Sequence, residues 1–139
     1  MKSEKGQSLV ETALMLPVIF TILFGIIDFG MLLQAHLAIE HAGREGARWA
    51  SIHSTDSEKS LESKVAGYAV GLNASELKVN VKLLPDEDDE TETNVKVTIK
   101  YNYYFITPLI DFLKLITKVT KINIPDPIPI EDVTWMRVE

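Results

Sequence analysis

The dominant pattern in this chain is a block rather than a period. From Leu9 to Leu33 almost every position is apolar, and Glu11 and Asp28 are the only charged residues in the run. At ~1.5 Å of rise per residue, such a stretch is long enough to cross a hydrocarbon core of ~30 Å. A core helix apolar on all sides would need partners all round, and the rest of so short a chain cannot supply them. The block therefore predicts a transmembrane helix over residues 7–33. A short polar leader, residues 1–6, stands before it. Lys2 and Lys5 favour a cytoplasmic N-terminus with the remaining domain outside, while Glu4, Arg44 and Arg48 pull the other way. A secretory signal is a competing reading, with Ala13–Ile27 as its apolar region, but no A-x-A pattern closes the run. An uncleaved signal anchor is another.

Beyond the block the periods change. Small residues recur at Ala38, Ala42, Gly46 and Ala50, an i, i+4 ridge on one helix face that lets another backbone approach closely. Residues 34–56 are thus expected to carry the membrane helix onward to a polar joint. Gly43 and Gly46 each lower helix propensity by roughly 1 kcal/mol, which allows a break near them. The partner of the ridge is left open between this chain's own sheet and another subunit. Leu61, Val65, Tyr68/Ala69 and Leu72 mark a second, amphipathic helix that ends near Gly71 and Asn73. The sequon Asn73-Ala74-Ser75 has little weight without a eukaryotic secretory route.

Period two follows. Leu77, Val79, Val81 and Leu83 alternate with Lys78, Asn80 and Lys82, and Val95 through Phe105 alternate in the same way. Thr107-Pro108 reads as the cap and first position of a short helix with the stripe Leu109, Phe112, Leu113, Ile116 and Val119/Thr120. Docking on the sheet is the commoner fate of such a helix, and lying on the outer leaflet is the other. Pro125, Pro127 and Pro129 enforce extended chain that cannot be a central strand, and Val133–Val138 can return as a last strand. The fold class is α+β. A long N-terminal transmembrane helix extends into a small helix-backed antiparallel sheet of about three or four strands, with residues 57–139 as the extracytoplasmic domain.

Composition changes this picture mainly by exclusion. The net charge of −6 argues against a nucleic-acid partner, whose binding would rest on Lys and Arg neutralising phosphates. The absence of cysteine removes disulfide and thiolate chemistry. His36, Glu40 and His41 have neither zinc-motif spacing, and His41 is turned away from His36, so solvated helix positions are preferred to a metal site. The acidic run Asp86–Glu92 lacks the calcium-loop pattern and its glycine, and a solvated hairpin loop is preferred there. Neither a nucleophile–base pair nor a phosphate loop is present, so no enzymatic activity and no cofactor are expected.

The two carboxylates in the apolar run need an explanation, because a charge within the bilayer costs at least ~2.5 kcal/mol on insertion scales. Solvation at the interface is preferred for Asp28, and a similar reading is open for Glu11, which lies only two residues inside the apolar start. For Glu11 the surrounding residues suggest more. Lys5-Gly6-Gln7-Ser8-Leu9-Val10-Glu11 before an apolar run resembles the prepilin-peptidase site of type IV pilins, particularly the tight-adherence (Flp/Tad) pseudopilins. The resemblance extends through Leu16-Pro17, through Gly25-Ile26-Ile27-Asp28-Phe29-Gly30, and through Ala42-Gly43-Arg44-Glu45-Gly46-Ala47-Arg48-Trp49-Ala50, which together look like a TadE-like signature. The ending Met136-Arg137-Val138-Glu139 is also similar to those proteins.

The resemblance implies a cut after Gly6, a new amino terminus at Gln7, and Glu11 as the fifth mature residue. The new α-amino group, of pKa ~7.7–8.0, would be largely cationic beside the membrane. A neighbour's carboxylate would neutralise it and so select the register of assembling subunits. The implied partners are the prepilin peptidase, other pilin or pseudopilin subunits, the pilus assembly platform with its ATPase, and the lipid bilayer. The implied location is the bacterial cytoplasmic membrane. The rival reading is an uncleaved single-pass protein whose outer domain binds a partner or ligand.

Overall fold

The structure, a computed structural model, describes residues 2–85, 93–111, 113, 114 and 125–138, with side chains from Gly6 onward. The acidic run 86–92 and the positions Phe112, Ile116 and Val119/Thr120 lie outside the described residues. Helix α1 spans Lys2–Ile52, α2 spans Glu58–Tyr68, and a 3-10 turn covers Ala74–Glu76. Strands β1 (Leu77–Pro85), β2 (Thr93–Tyr103) and β3 (Ile128–Arg137) complete the order. The chain divides into two compact units, Met1–Met31 with Phe105–Asp126, and Leu32–Tyr104 with Pro127–Glu139.

In the first unit, α1 is built from residues with few routes out of a helix in an apolar medium. Its threonines satisfy themselves locally, Thr12 Oγ1 donating to the Ser8 carbonyl at 2.9 Å and Thr21 Oγ1 to the Pro17 carbonyl at 2.8 Å. Pro17 lies inside the helix, where it removes one backbone donor. Among the described residues α1 is the one helix long and apolar enough to cross a membrane, and only 6% of its most apolar window is buried by protein. A soluble core helix would be mostly covered. The outward Leu9, Leu14, Ile19 and Ile26 instead present an apolar surface that fits lipid, as in a single-pass membrane protein.

In the second unit the sheet order is β1-β2-β3, antiparallel throughout. Alternation puts Val81, Val95, Val97 and Ile99 into the core, joined by Leu61 and Val65 of α2 and Ile39 of α1. Residues Leu32–Ile52 of α1 continue unbroken through Gly43 and Gly46, because packing against these positions outweighs a propensity loss of roughly 1 kcal/mol each. A Cβ at Gly43 would run into Asp132 Oδ2 and lie 2.8 Å from Thr134 Oγ1, so β3 passes directly over it. A Cβ at Gly46 would lie 2.6 and 2.7 Å from the two γ-methyls of Val65, so α2 crosses there. Trp49 stacks on His53 with ring centroids 4.1 Å apart, and Lys64 Nζ of α2 sits 5.9 Å from the Trp49 ring centre.

Several boundaries differ from the sequence reading. Helix α2 stops at Tyr68 rather than reaching Leu72, since Ala69 N already bonds back to Ala66 O in a tightened turn and Gly71 takes φ +85°. Asn73 caps the 3-10 turn through its side chain, which accepts from Ser75 N at 3.2 Å. Strand β2 ends at Tyr103, leaving Phe105 outside the ladder, and β3 begins at Ile128 rather than Val133. Pro129 is tolerated because β3 is an edge strand.

The outer face of the sheet is charged in an unusual way. Lys78 stands opposite Lys100, and Lys82 opposite Lys96. Like charges placed directly across a ladder destabilise a sheet, by up to ~1 kcal/mol per pair. Lys100 is partly relieved by Glu131 at 3.1 Å, and Lys96 lies 4.6 Å from the Trp135 ring centre.

The Gly46 crossing yields a direct test. Val65 is stiff about its first torsion, so Gly46→Ala is expected to cost about 1–3 kcal/mol by overpacking. Thermal melting in detergent should show it. The double variant Gly46→Ala/Val65→Ala should lose less than the sum of the single losses, because the clash is shared.

Candidate functional site

Three groups of residues along α1 are candidates for function, and they differ in how the chain treats their polar atoms. The first is Asp28. Its neighbours along the helix are apolar or glycine, yet the residue is only 2% exposed and its carboxylate is fully engaged. Asp28 Oδ1 accepts from the backbone N–H of Ile106 and of Thr107, both at 3.2 Å, and Oδ2 accepts from the Thr107 hydroxyl. Thr107 Oγ1 in turn accepts from Leu109 N at 3.4 Å, which orients the turn leading into helical residues 109–111. Leu109 and Ile110 are buried, and the side of Gly25 offers Leu109 Cδ2 a contact at 3.9 Å from an ideal Cβ position. Beside them opens an apolar groove of about 350 Å³ lined by Leu16, Pro17, Phe20, Phe24, Pro108 and Leu109. Phe20 and Phe24 stack along it, centroids 5.7 Å apart.

This overturns one expectation. Asp28 is not solvated at an interface; backbone donors from the segment after β2 replace water. The start of the segment following Pro108 groups with residues Met1–Met31. Its anchor is the Asp28 carboxylate together with Leu109. The sequence signal was there in part. A carboxylate on an apolar helix requires donors, and a Thr-Pro helix start offers a hydroxyl and free N–H groups.

The second group is Gly6, Gln7 and Glu11. All three are exposed on the surface of α1, and a Cβ at Gly6 would meet nothing within 4 Å. Among the described residues Glu11 has no hydrogen-bond or ion-pair partner. The contrast with Asp28 is sharp: of the two carboxylates in the apolar run, one is satisfied within the chain and the other faces outward.

The third group is the small-residue ridge. Ala42, Gly46 and Ala50 are buried and Ala38 is half-buried. Ala35, Gly43 and Ala47 are buried as well, so the covered face is broader than the i, i+4 line. At Gly46 the contact is with α2 of the same chain, and at Gly43 with β3. Arg44 and Arg48 point away from this face and are exposed, Arg44 pairing with Glu40 one turn back. That pairing engages Glu40, and His36 and His41 are both exposed. Among the described residues no group of three potential metal ligands converges.

Residues 6–48 match the family described as TadE-like protein, the family suggested by the motifs around Gly6, Asp28 and Arg44. The matched stretch includes Gly6, Glu11 and Asp28, as well as Gly43 and Gly46, where the sheet and α2 cross the helix. No curated protein and no solved structure matched the chain.

The Asp28 bonds make a measurable prediction. Asp28→Ala leaves two part-buried N–H groups and a hydroxyl without their acceptor, at a cost of about 2–3 kcal/mol in all. Asp28→Asn keeps an acceptor oxygen and should cost less. Hydrogen exchange provides the local readout. The Ile106 and Thr107 amides should lose protection in Asp28→Ala and retain most of it in Asp28→Asn.

Proposed function

We propose that this chain is a pilin-like, TadE-like subunit of a tight-adherence (Flp-type) pilus system, anchored by α1, cut after Gly6 by a prepilin peptidase, and assembled with other pilin or pseudopilin subunits. The match over residues 6–48 supports the pilus-associated class. The observation that carries the finer reading is the unequal treatment of the two carboxylates. A charged group costs ~2.5 kcal/mol or more at the centre of a membrane helix and less toward its end, and an outward Glu11 bears part of that cost unless something outside the chain neutralises it. A neighbouring subunit's newly made α-amino group at Gln7 has the right charge and lies at the matching end of the same kind of helix. Pairing them removes two penalties at once and fixes the axial register of assembly.

Processing at Gly6 is favoured by the local backbone. A peptidase must draw the chain out of its helical path, and glycine gives up helix at a lower cost than other residues apart from proline. Gly6 is near the start of α1, and among the described residues nothing packs on it. The leader would then stay on the cytoplasmic side, the apolar segment 7–33 would remain in the bilayer, and residues 57–139 would stand outside. The subunit works in this reading as a minor component beside a major pilin and a membrane platform. It acts by binding rather than by catalysis.

Intact-mass measurement of the membrane-extracted protein decides the processing step. The expected terminus is Gln7; a retained Met1–Gly6 leader in cells with an active prepilin peptidase overturns it. Glu11→Gln tests the charge separately. Membrane insertion and melting should be unchanged, while co-purification with partner subunits should fall at least tenfold. Unaltered incorporation would refute the role given to Glu11.

A further inference from the structure

The outer sheet face carries charge opposite in sign to the chain as a whole. Net charge is −6, yet Lys78, Lys82, Lys96 and Lys100 share this face; among the described residues Glu131 is the acid paired with them, and Glu62 of α2 accepts from Asn80 on the same face. The face also exposes Val133, on the rung between the two lysine rows, and Trp135, 54% accessible, beside Lys96 in one of them. A solvated sheet has no need to set lysine against lysine twice, because each such pair weakens the ladder. Bringing a polyanion onto the face reverses the sign of that effect.

The chain contains a matching polyanion. Six of the seven residues from Asp86 to Glu92 are carboxylates, joining Pro85 of β1 to Thr93 of β2. We propose that the outer face of the sheet is a docking surface for the acidic run 86–92 of a second copy of this chain, with Trp135 and Val133 as the apolar centre of the contact. The run cannot serve its own face fully. It is anchored at Pro85↔Thr93, and half of so short a loop reaches only ~12 Å at ~3.3 Å per residue. The Lys78↔Lys100 rung lies seven residues down β1 from Pro85, roughly 24 Å away at strand rise. A second copy covers both lysine rows without that restriction. The inference goes beyond the function proposed above and does not use cleavage after Gly6.

Full-length protein in detergent, half of it labelled with nitrogen-15, provides the test. Carbodiimide treatment joins a lysine to a carboxylate only when they touch. Mass spectrometry should find mixed-isotope links between residues 86–92 and Lys78 or Lys100. Their yield should fall at least fivefold in Lys82→Gln/Lys96→Gln, which leaves the linking amines in place, and in roughly 0.5 M salt, where exposed charges are screened within a few ångströms. The variant should melt close to the natural chain, since the like-charge pair it removes offsets the loss of the exposed Lys96–Trp135 contact, which separates lost docking from lost folding. Links confined to single-isotope chains would overturn the proposal. So would lysine-dependent binding to phosphatidylglycerol vesicles without mixed links, which would assign the face to lipid headgroups. Either result leaves the reading of Gly6 and Glu11 standing.

Discussion

A carboxylate placed on an apolar helix must find donors or keep its water, and Asp28 finds its donors 78 and 79 residues further along the chain. Much of the first unit follows from that requirement. The two N–H groups and the hydroxyl at Ile106 and Thr107 are drawn to α1, and Leu109 and Ile110 are brought down with them as buried apolar contacts. Strand β2 therefore stops at Tyr103 instead of continuing its alternation through Phe105. Twenty-four residues, 104–127, intervene before β3 begins at Ile128, so the β2–β3 pairing is not a local hairpin.

The same helix carries a second, quite different surface in the other unit. There the absence of side chains at Gly43 and Gly46 admits β3 and α2 to within contact of the backbone. Propensity alone disfavours these glycines in a helix, and packing outweighs that preference. Close approach lets Ala42, Ala47 and Ala50 be completely buried, so a thin layer of small residues gives the small domain its core. The TadE-like match ends at residue 48, within this layer. The matched segment thus spans the lipid-compatible stretch, the Asp28 anchor and much of the packing face.

How legible each part was depends on the range of the interaction that creates it. The helix, the two alternating strands and the polar joint after Ile52 are local patterns, and periodicity reveals them. The ridge Ala38, Ala42, Gly46 and Ala50 was visible as a face, but its neighbours Val65, Asp132 and Thr134 were not, because contacts across such sequence distances leave no period. Asp28 is the clearest case. Its cost in an apolar setting was evident, and its resolution required knowing that Thr107 folds back. Gly6 and Glu11 were legible as a motif, with their functional roles resting on the proposed processing and assembly.

The Asp28 anchor also imposes an order in time. Thr107 is made 79 residues after Asp28, which at ribosomal speed is a delay on the order of 4–16 s. Throughout that interval the newly inserted helix holds a carboxylate whose final donors do not yet exist. Water must serve in their place, so the nascent helix first rests with this end hydrated and settles only when the later segment arrives. Maturation of the anchor is consequently a late event, coupled to completion of the chain rather than to insertion of its first segment.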